Sequence, residues 1–502
     1  KVLDPHAVGR EVAMICFENV SFQYESERHP ALREFTHSIA KGELVLLLGP
    51  SGCGKTTITR LLNGLVPHFY EGELKGIVRI GGRTTTETTI QSLADIVGSV
   101  FQDPRSQFFA TDVTSEIAFS CENAGLPRNE IHRRVENASR KLGIESLLGR
   151  SIFALSSGEK QAVAVASVYA FAPSVIVMDE PSANLDPMAT QKLREIIQAL
   201  RTDGFTIVIS EHRIHYLTDL VDRAIFIQNG KMIQEFQKDA FQAITNAEAN
   251  KLGLRSFYLD ALPVPNQPSF KTDIVALELE QVTAGYTAQQ PVIQNLNLKV
   301  NQGEILGIVG HNGVGKTTLL ETICGLQKER SGQIKFHGIH LTPKKRIQET
   351  YLVMQDSDYQ LFTESVESEL LLEHENDPEA IAKANGILQN MGLDELRERH
   401  PASLSGGQKQ RLSIAVAYQK NASVICFDEP TSGLDFKNML RVRNLFQEMA
   451  TEGKTLLVIS HDYEFLLATC QRVLCLFDDY RSECFAVTEQ TKEHLADVMQ
   501  MR

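Results

Sequence analysis

A chain of 502 residues with 42% hydrophobic residues is long enough for more than one domain, each with its own core. A formal net charge of −13 argues against a nucleic-acid scaffold, which carries a basic field, so no nucleic-acid partner is expected. The eight cysteines are scattered with no C-x-x-C pair, which excludes a zinc or disulfide framework and suits a reducing cytosol.

Residues 1–11 have no apolar signal-peptide core, and no apolar stretch is long enough to span a bilayer. Residues 15–22 are rich in β formers and predict a first strand ending near Tyr24. Residues 277–282, followed by Tyr286, are the counterpart. Either tyrosine could stack on a nucleotide base or pack on its own sheet. Next, an apolar run over 44–48 leads into Gly49-Pro50-Ser51-Gly52-Cys53-Gly54-Lys55-Thr56-Thr57 and then a helix-compatible segment, 58–65. This is the phosphate-binding pattern G-x-x-x-x-G-K-[ST], and it recurs after 305–309 as Gly310-His311-Asn312-Gly313-Val314-Gly315-Lys316-Thr317-Thr318. The glycines let backbone N–H groups converge on an anion at a helix start. Lys55 and Lys316 would reach the β- and γ-phosphates, and the Thr56 and Thr317 hydroxyls would ligate Mg²⁺.

Apolar runs then end in Gln102 and Gln355, which could orient a water and touch Mg²⁺. Farther on, Leu155-Ser156-Ser157-Gly158-Glu159 and Leu404-Ser405-Gly406-Gly407-Gln408 have capping-box spacing and predict helices over 162–171 and 412–418. Their exposed N–H groups make a second anion site in each half. Residues 175–178 and 424–427 are continuous apolar runs followed by Asp179-Glu180 and Asp428-Glu429. They predict buried parallel strands with carboxylates at the ligand-binding edge. Asp179 and Asp428 would hold Mg²⁺ through water, and Glu180 and Glu429 would accept a proton from attacking water. Two further strands, over 206–210 and 455–460, lead to His212 and His461, each able to hydrogen-bond a γ-phosphate.

The whole series occurs twice in the same order. The first copy has extra residues between lysine and glutamine, expected over 70–82 and 84–89. Residues 12–240 and 274–502 read as two α/β domains. Residues 241–273 read as the linker between them, and its end, Leu262-Pro263-Val264-Pro265-Asn266-Gln267-Pro268, reads as extended chain. With about 30 flexible residues its span would be on the order of 30 Å.

On these motifs the chain resembles a tandem ATPase of the ABC superfamily. The resemblance implies two P-loop nucleotide-binding domains, each with a RecA-like core, an antiparallel β subdomain and a helical signature subdomain. It implies ATP and Mg²⁺ clamped head to tail, one half's phosphate loop facing the other half's signature. Site one would join Lys55, Thr56, Gln102, Asp179, Glu180 and His212 with residues 405–408. Site two would join Lys316, Thr317, Gln355, Asp428, Glu429 and His461 with residues 156–159. The pattern Q-D-x-x-x-Q-[FL]-F after each glutamine, followed by a Val-x-x-Glu element, is similar to ATPases of energy-coupling factor (ECF) transporters and their cobalt relatives. The fused arrangement is similar to the hydroxymethylpyrimidine/thiamine type. That resemblance implies a peripheral protein on the cytoplasmic face of the membrane, a transmembrane energy-coupling subunit and a membrane substrate-binding subunit. The surface beside Phe108, Phe109, Leu361 and Phe362 would form the contact patch. A fused sugar-importer ATPase and a soluble ribosome-associated tandem ATPase are the alternatives. The first signature departs from the family pattern: Glu159 replaces glutamine and Ala162 stands where Arg411 does. Glu159 brings negative charge beside a phosphate site, with Lys160 as its expected counter-charge, so site two is expected to work less well. Cys53, close to Lys55, is a candidate reactive thiol.

Overall fold

The computed structural model describes residues 13–25, 27, 29–265, 273–286, 291–372 and 374–499. The chain divides into two compact units, Lys1–Tyr258 and Leu259–Arg502. Each has one six-stranded and one four-stranded sheet.

In the first unit, strand Leu44–Leu48 lies centrally, parallel to Thr206–Ser210 on one side and Arg223–Gln228 on the other. Val175–Asp179 and Val97–Val100 continue the parallel sheet, and Lys231–Gln237 closes the opposite edge antiparallel. All five residues of Leu44–Leu48 are buried because both sheet faces are covered. Side chains alternate across a strand. Leu44, Leu46 and Leu48 therefore enter a core shared with helices Val113–Asn123, Arg128–Lys141, Ser157–Phe171 and Pro187–Thr202. Val45 and Leu47 enter the opposite core, closed by helix Lys55–Leu62 and an antiparallel sheet in the order Leu32–Ala40, Ala13–Tyr24, Gly72–Ile80, Arg83–Thr84.

The second unit repeats this plan. Its parallel strands Thr350–Val353, Val424–Asp428, Thr455–Ile459, Ile305–Val309 and Arg472–Leu476 keep the same neighbours, with Ser482–Ala486 antiparallel at the edge. Its antiparallel sheet runs Ile293–Asn301, Val275–Ala284, Ser331–Phe336, Ile339–His340. The two-domain α/β architecture expected from the sequence is what the structure has.

Two expectations need correction. Gly72–Ile80 is not inserted material: it pairs with Ala13–Tyr24 as Ser331–Phe336 pairs with Val275–Ala284. The short helix Leu65–His68 lies before that strand, and the second unit has no helix between Cys324 and Ser331. Residues 241–273 are not extended throughout. Helices Lys238–Gln242 and Asn246–Lys251 form, and Phe241, Ile244, Ala249, Leu254 and Phe257 pack into the first unit's core. Leu262 joins the second unit's core, with Leu259 and Val264 against it. Asn266, Gln267 and Pro268 lie outside the described residues.

Candidate functional site

The strand-to-helix turn is built by glycine. Gly49 has φ +145° and Gly54 φ +111°, and a Cβ on them would meet Ile227 O at 2.1 Å and Ala31 O at 2.6 Å. Gly310 and Gly315 repeat these conformations at +150° and +105°. Any side chain here would break the turn. Lys55 Nζ donates to Gly49 O at 2.8 Å and Pro50 O at 3.3 Å; Lys316 Nζ does the same with Gly310 O at 2.8 Å and His311 O at 3.0 Å. Cys53 is buried, with Lys55 Nζ 4.0 Å from its Sγ as the sequence suggested.

The lysine's neighbour on the helix meets the strand-end aspartate. Thr56 Oγ1 lies 3.4 Å from Asp179 Oδ1, and Thr317 Oγ1 donates to Asp428 Oδ2 at 2.7 Å. Burial, reinforced by the Glu180 carboxylate, raises the Asp179 pKa, and burial raises that of Asp428. The next residues, Glu180 and Glu429, have φ +47° and +53°. A non-glycine residue held there is strained, and such strain concentrates at functional sites. Glu180 Oε1 is 3.2 Å from His212 Nε2, and its Oε2 accepts from Gln102 Nε2 at 3.0 Å. Glu429 Oε1 is 3.6 Å from His461 Nε2, which is also 3.1 Å from Asn312 Oδ1. Gln355 stands exposed beyond strand Thr350–Val353.

The tyrosines differ between units. Tyr24 OH is within hydrogen-bond distance of Thr57 Oγ1 at 3.2 Å and accepts from Arg60 Nη1 at 3.1 Å. Thr318 Oγ1 reaches Tyr286 OH at 3.5 Å, and Tyr286 is 67% exposed.

Ser156 and Ser405 cap helices Ser157–Phe171 and Gly406–Gln419 as the spacing predicted. Ser157, Gly158, Gly406 and Gly407 form their first turns, and Ser405 N–H donates to Gln408 Oε1 at 2.8 Å. Glu159 accepts from Ser156 N–H at 2.7 Å and pairs with Arg150 Nη1 at 2.8 Å. Burial opposes its charge, but the Ser156 and Arg150 hydrogen bonds hold its carboxyl below the usual range. Arg150, nine positions upstream, is thus the ion-pair partner of Glu159, where Lys160 was expected. Arg411, which the second unit has where the first has Ala162, is buried and donates Nε–H to Met391 O at 2.9 Å.

Sequence reasoning named the Val-x-x-Glu element without its role. Glu116 Oε2 accepts from Phe109 N–H at 2.9 Å and Ala110 N–H at 2.8 Å. Glu369 Oε2 accepts from Phe362 N–H at 3.0 Å and Thr363 N–H at 2.9 Å. The second glutamine of the preceding motif braces the other end: Gln107 Oε1 accepts from Phe101 N–H at 3.0 Å, and Gln360 Oε1 from Met354 N–H at 2.8 Å. Pinned at both ends, the loops present Phe109 and Phe362 at 74% and 71% exposure. Phe108 and Leu361 instead pack against the cores.

A glycine turn, a lysine, a threonine–aspartate pair and a strained glutamate beside a histidine, twice over, define P-loop nucleotide hydrolases. The ABC transporter family profile matches residues 32–183 and 293–432, one stretch in each unit, and the chain belongs to that family. It is a tandem ATPase that binds ATP and couples its hydrolysis to transport. A protein from Treponema denticola, provisionally named an ABC transporter ATP-binding protein, is 45% identical over 92% of this chain and 95% of its own length. One from Bacillus subtilis, provisionally named the HMP/thiamine import ATP-binding protein YkoD, is 32% identical over 93% of this chain and 90% of its own. Among solved structures, one titled as a model of ribosome-bound archaeal Pelota and ABCE1 aligns with a TM-score of 0.68, at 20% identity, over 96% of this chain and 80% of that one; it bears on the fold alone. No helix among the described residues is long and apolar enough to cross a membrane.

Proposed function

We propose that this chain is the energy-coupling ATPase of an ECF-type importer for a vitamin or related micronutrient, with a thiamine precursor or a metal ion as candidate cargo. It works at the cytoplasmic face of the membrane, with a transmembrane energy-coupling subunit and a membrane substrate-binding subunit. The observation that carries this reading is the pinned aromatic loop, built twice from the same motif. Glu116 and Glu369 each hold two backbone N–H groups so that Phe109 and Phe362 stand clear of the cores. An apolar side chain held rigidly in solvent is a prepared contact. The likeness to YkoD supports the thiamine-precursor option.

At each site, Lys55 or Lys316 leaves its own loop's carbonyls to bind the β- and γ-phosphates. Tyr24 and Tyr286 offer their rings to the base. Glu180 and Glu429 accept the proton of the attacking water, and His212 and His461 hold the water and the γ-phosphate. The signature serines 156 and 405, with their helix N-termini, close on the γ-phosphate bound by the opposite half. Hydrolysis removes that bridge, and the halves separate. Mg²⁺ would neutralise phosphate charge, held by Thr56, Gln102 and Asp179 and by Thr317, Gln355 and Asp428. The residues fit that ion. Each threonine–aspartate pair is all-oxygen, the donor set that Mg²⁺ takes, and water and nucleotide oxygens would complete its shell.

The test is to purify the chain from its native membranes. Stoichiometric multi-span partners, and ATP turnover that rises when the cognate vitamin is present, are expected. Cosedimentation with ribosomes and no membrane partner would sink the reading. Glu180→Gln and Glu429→Gln should each lower ATP turnover, by about 10²-fold or more at the affected site.

A further inference from the structure

The two units support the histidine differently. The second reads Ser460-His461-Asp462, the first Glu211-His212-Arg213, so the acid has changed sides of the histidine. Asp462 accepts from Thr431 Oγ1 at 3.1 Å and from Phe465 N–H at 3.1 Å. Glu211, only 3% exposed, draws four donors. Its Oε2 accepts from Ser182 N–H at 3.2 Å and Tyr216 OH at 2.9 Å; its Oε1 accepts from His212 N–H at 2.8 Å and Arg213 N–H at 3.2 Å. Counting from the histidines, Tyr216 corresponds to Phe465 and Ser182 to Thr431. The hydroxyl that Glu211 uses is therefore present only in the half that has Glu211. Arg213 adds a second tie, donating to Leu185 O at 3.1 Å. A buried carboxylate is costly unless its oxygens are satisfied, and here both are. Its four partners come from two places: the loop 182–186 that follows Glu180, and the segment carrying His212. The imidazole stands 3.2 Å from Glu180, against 3.6 Å for His461 and Glu429.

We propose that Glu211 is a positioning residue for the first unit's hydrolytic pair, locking His212 and the loop 182–186 into one arrangement that aims the imidazole at Glu180. This rests on reading Glu180 and His212 as that pair. The second unit ties the corresponding segments by other groups: Thr431 Oγ1 donates to Asp462 at 3.1 Å, and His461 N–H donates to Glu429 Oε2 at 3.2 Å.

The experiment compares Glu211→Ser, Glu211→Gln, Glu180→Gln and the double variant Glu211→Ser/Arg213→Asp, which transplants the second unit's arrangement. Each is made in the full chain, and kcat and KM for ATP and thermal melting are measured. Both single Glu211 variants should lose most of the turnover that Glu180→Gln loses, with KM within about twofold of wild type. Glu211→Gln fails despite its shape because its amide NH₂ would face donors. The double variant should regain at least half of the lost turnover. Unchanged kcat in both Glu211 variants, beside a low kcat in Glu180→Gln, overturns the proposal alone. So does a parallel fall of kcat and melting temperature without recovery in the double variant, which marks mere structural support. Unchanged turnover in Glu180→Gln removes the pair itself, and the proposal with it.

Discussion

Asp179 and Asp428 sit where a protein without nucleotide would rather have a neutral group. Burial raises both carboxyl pKa values, and Glu180 adds to the effect at Asp179. Folding then favours the protonated acid. The stability each contributes is fully present below the unfolded pKa of about 3.9 and is lost as pH rises through the folded pKa. At neutral pH both acids therefore weaken the fold. Asp179→Asn and Asp428→Asn should raise the melting temperature at pH 7.5 in nucleotide-free buffer, with the gain shrinking as pH falls toward about 4. A melting temperature unchanged or lowered at pH 7.5 would contradict this. Function and stability pull apart at this carboxylate, as expected where charge is placed for a ligand. Glu159 is milder, because Arg150 stands at 2.8 Å from its carboxylate. Arg150→Ala should therefore weaken ATP affinity by about fivefold or less, the scale of one exposed ion pair of about 1 kcal/mol. Adding Glu159→Gln should restore it. A loss that persists in the double variant would mean that Arg150 acts elsewhere.

The aromatic loops show how an element is set by one distant side chain. Val113 and Val366 are fully buried and anchor their helices, and the glutamate one turn later points back to collect two N–H groups of the preceding loop. Glu116→Ala and Glu369→Ala each take that acceptor from two half-buried backbone donors. Each should cost about 1–3 kcal/mol in chemical denaturation and should also reduce copurification with membrane subunits. Phe362→Ala should reduce copurification with little change in denaturation midpoint, since its ring is exposed, and Phe109→Ala should do the same with a small added loss from its stack on Phe119, centroids 4.8 Å apart. Equal loss of stability in all four would mean that the rings are packed rather than presented. The motif was legible in the sequence because it occurs twice, whereas its purpose was not, because the hydrogen bonds run from a side chain to backbone groups that no spacing rule connects. Glu211 escaped for the same reason, since its partners Ser182 and Tyr216 come from separate segments. The capping boxes and the bonds of Lys55 and Lys316 to their own loops, by contrast, are local, each partner lying within six residues. That locality is why they could be read directly.

At the scale of the molecule, the expected boundary was displaced because proline drew attention to 262–268, while the two short helices before it are too brief for a periodic signal. The capping box at Thr245 and Glu248, which the structure forms, was the available clue. With Phe257 in the first unit's core, Leu262 in the second's and Leu259 and Val264 packed against the latter, the passage between cores is much shorter than a 30-residue coil. A short connection keeps the effective concentration of one half around the other high, provided the geometry permits engagement. ATP then need supply only the difference between open and closed arrangements, and its γ-phosphate is the group that hydrolysis takes away. In the Glu180→Gln/Glu429→Gln variant, ATP with Mg²⁺ should lower the radius of gyration measured by small-angle scattering, whereas ADP with Mg²⁺ should leave it at the nucleotide-free value. Lys55→Ala or Lys316→Ala in that background should weaken the contraction, because each removes one site's hold on the phosphates. Contraction by ADP equal to that by ATP would show that closure does not depend on the terminal phosphate, and the clamp proposed for these two halves would fail.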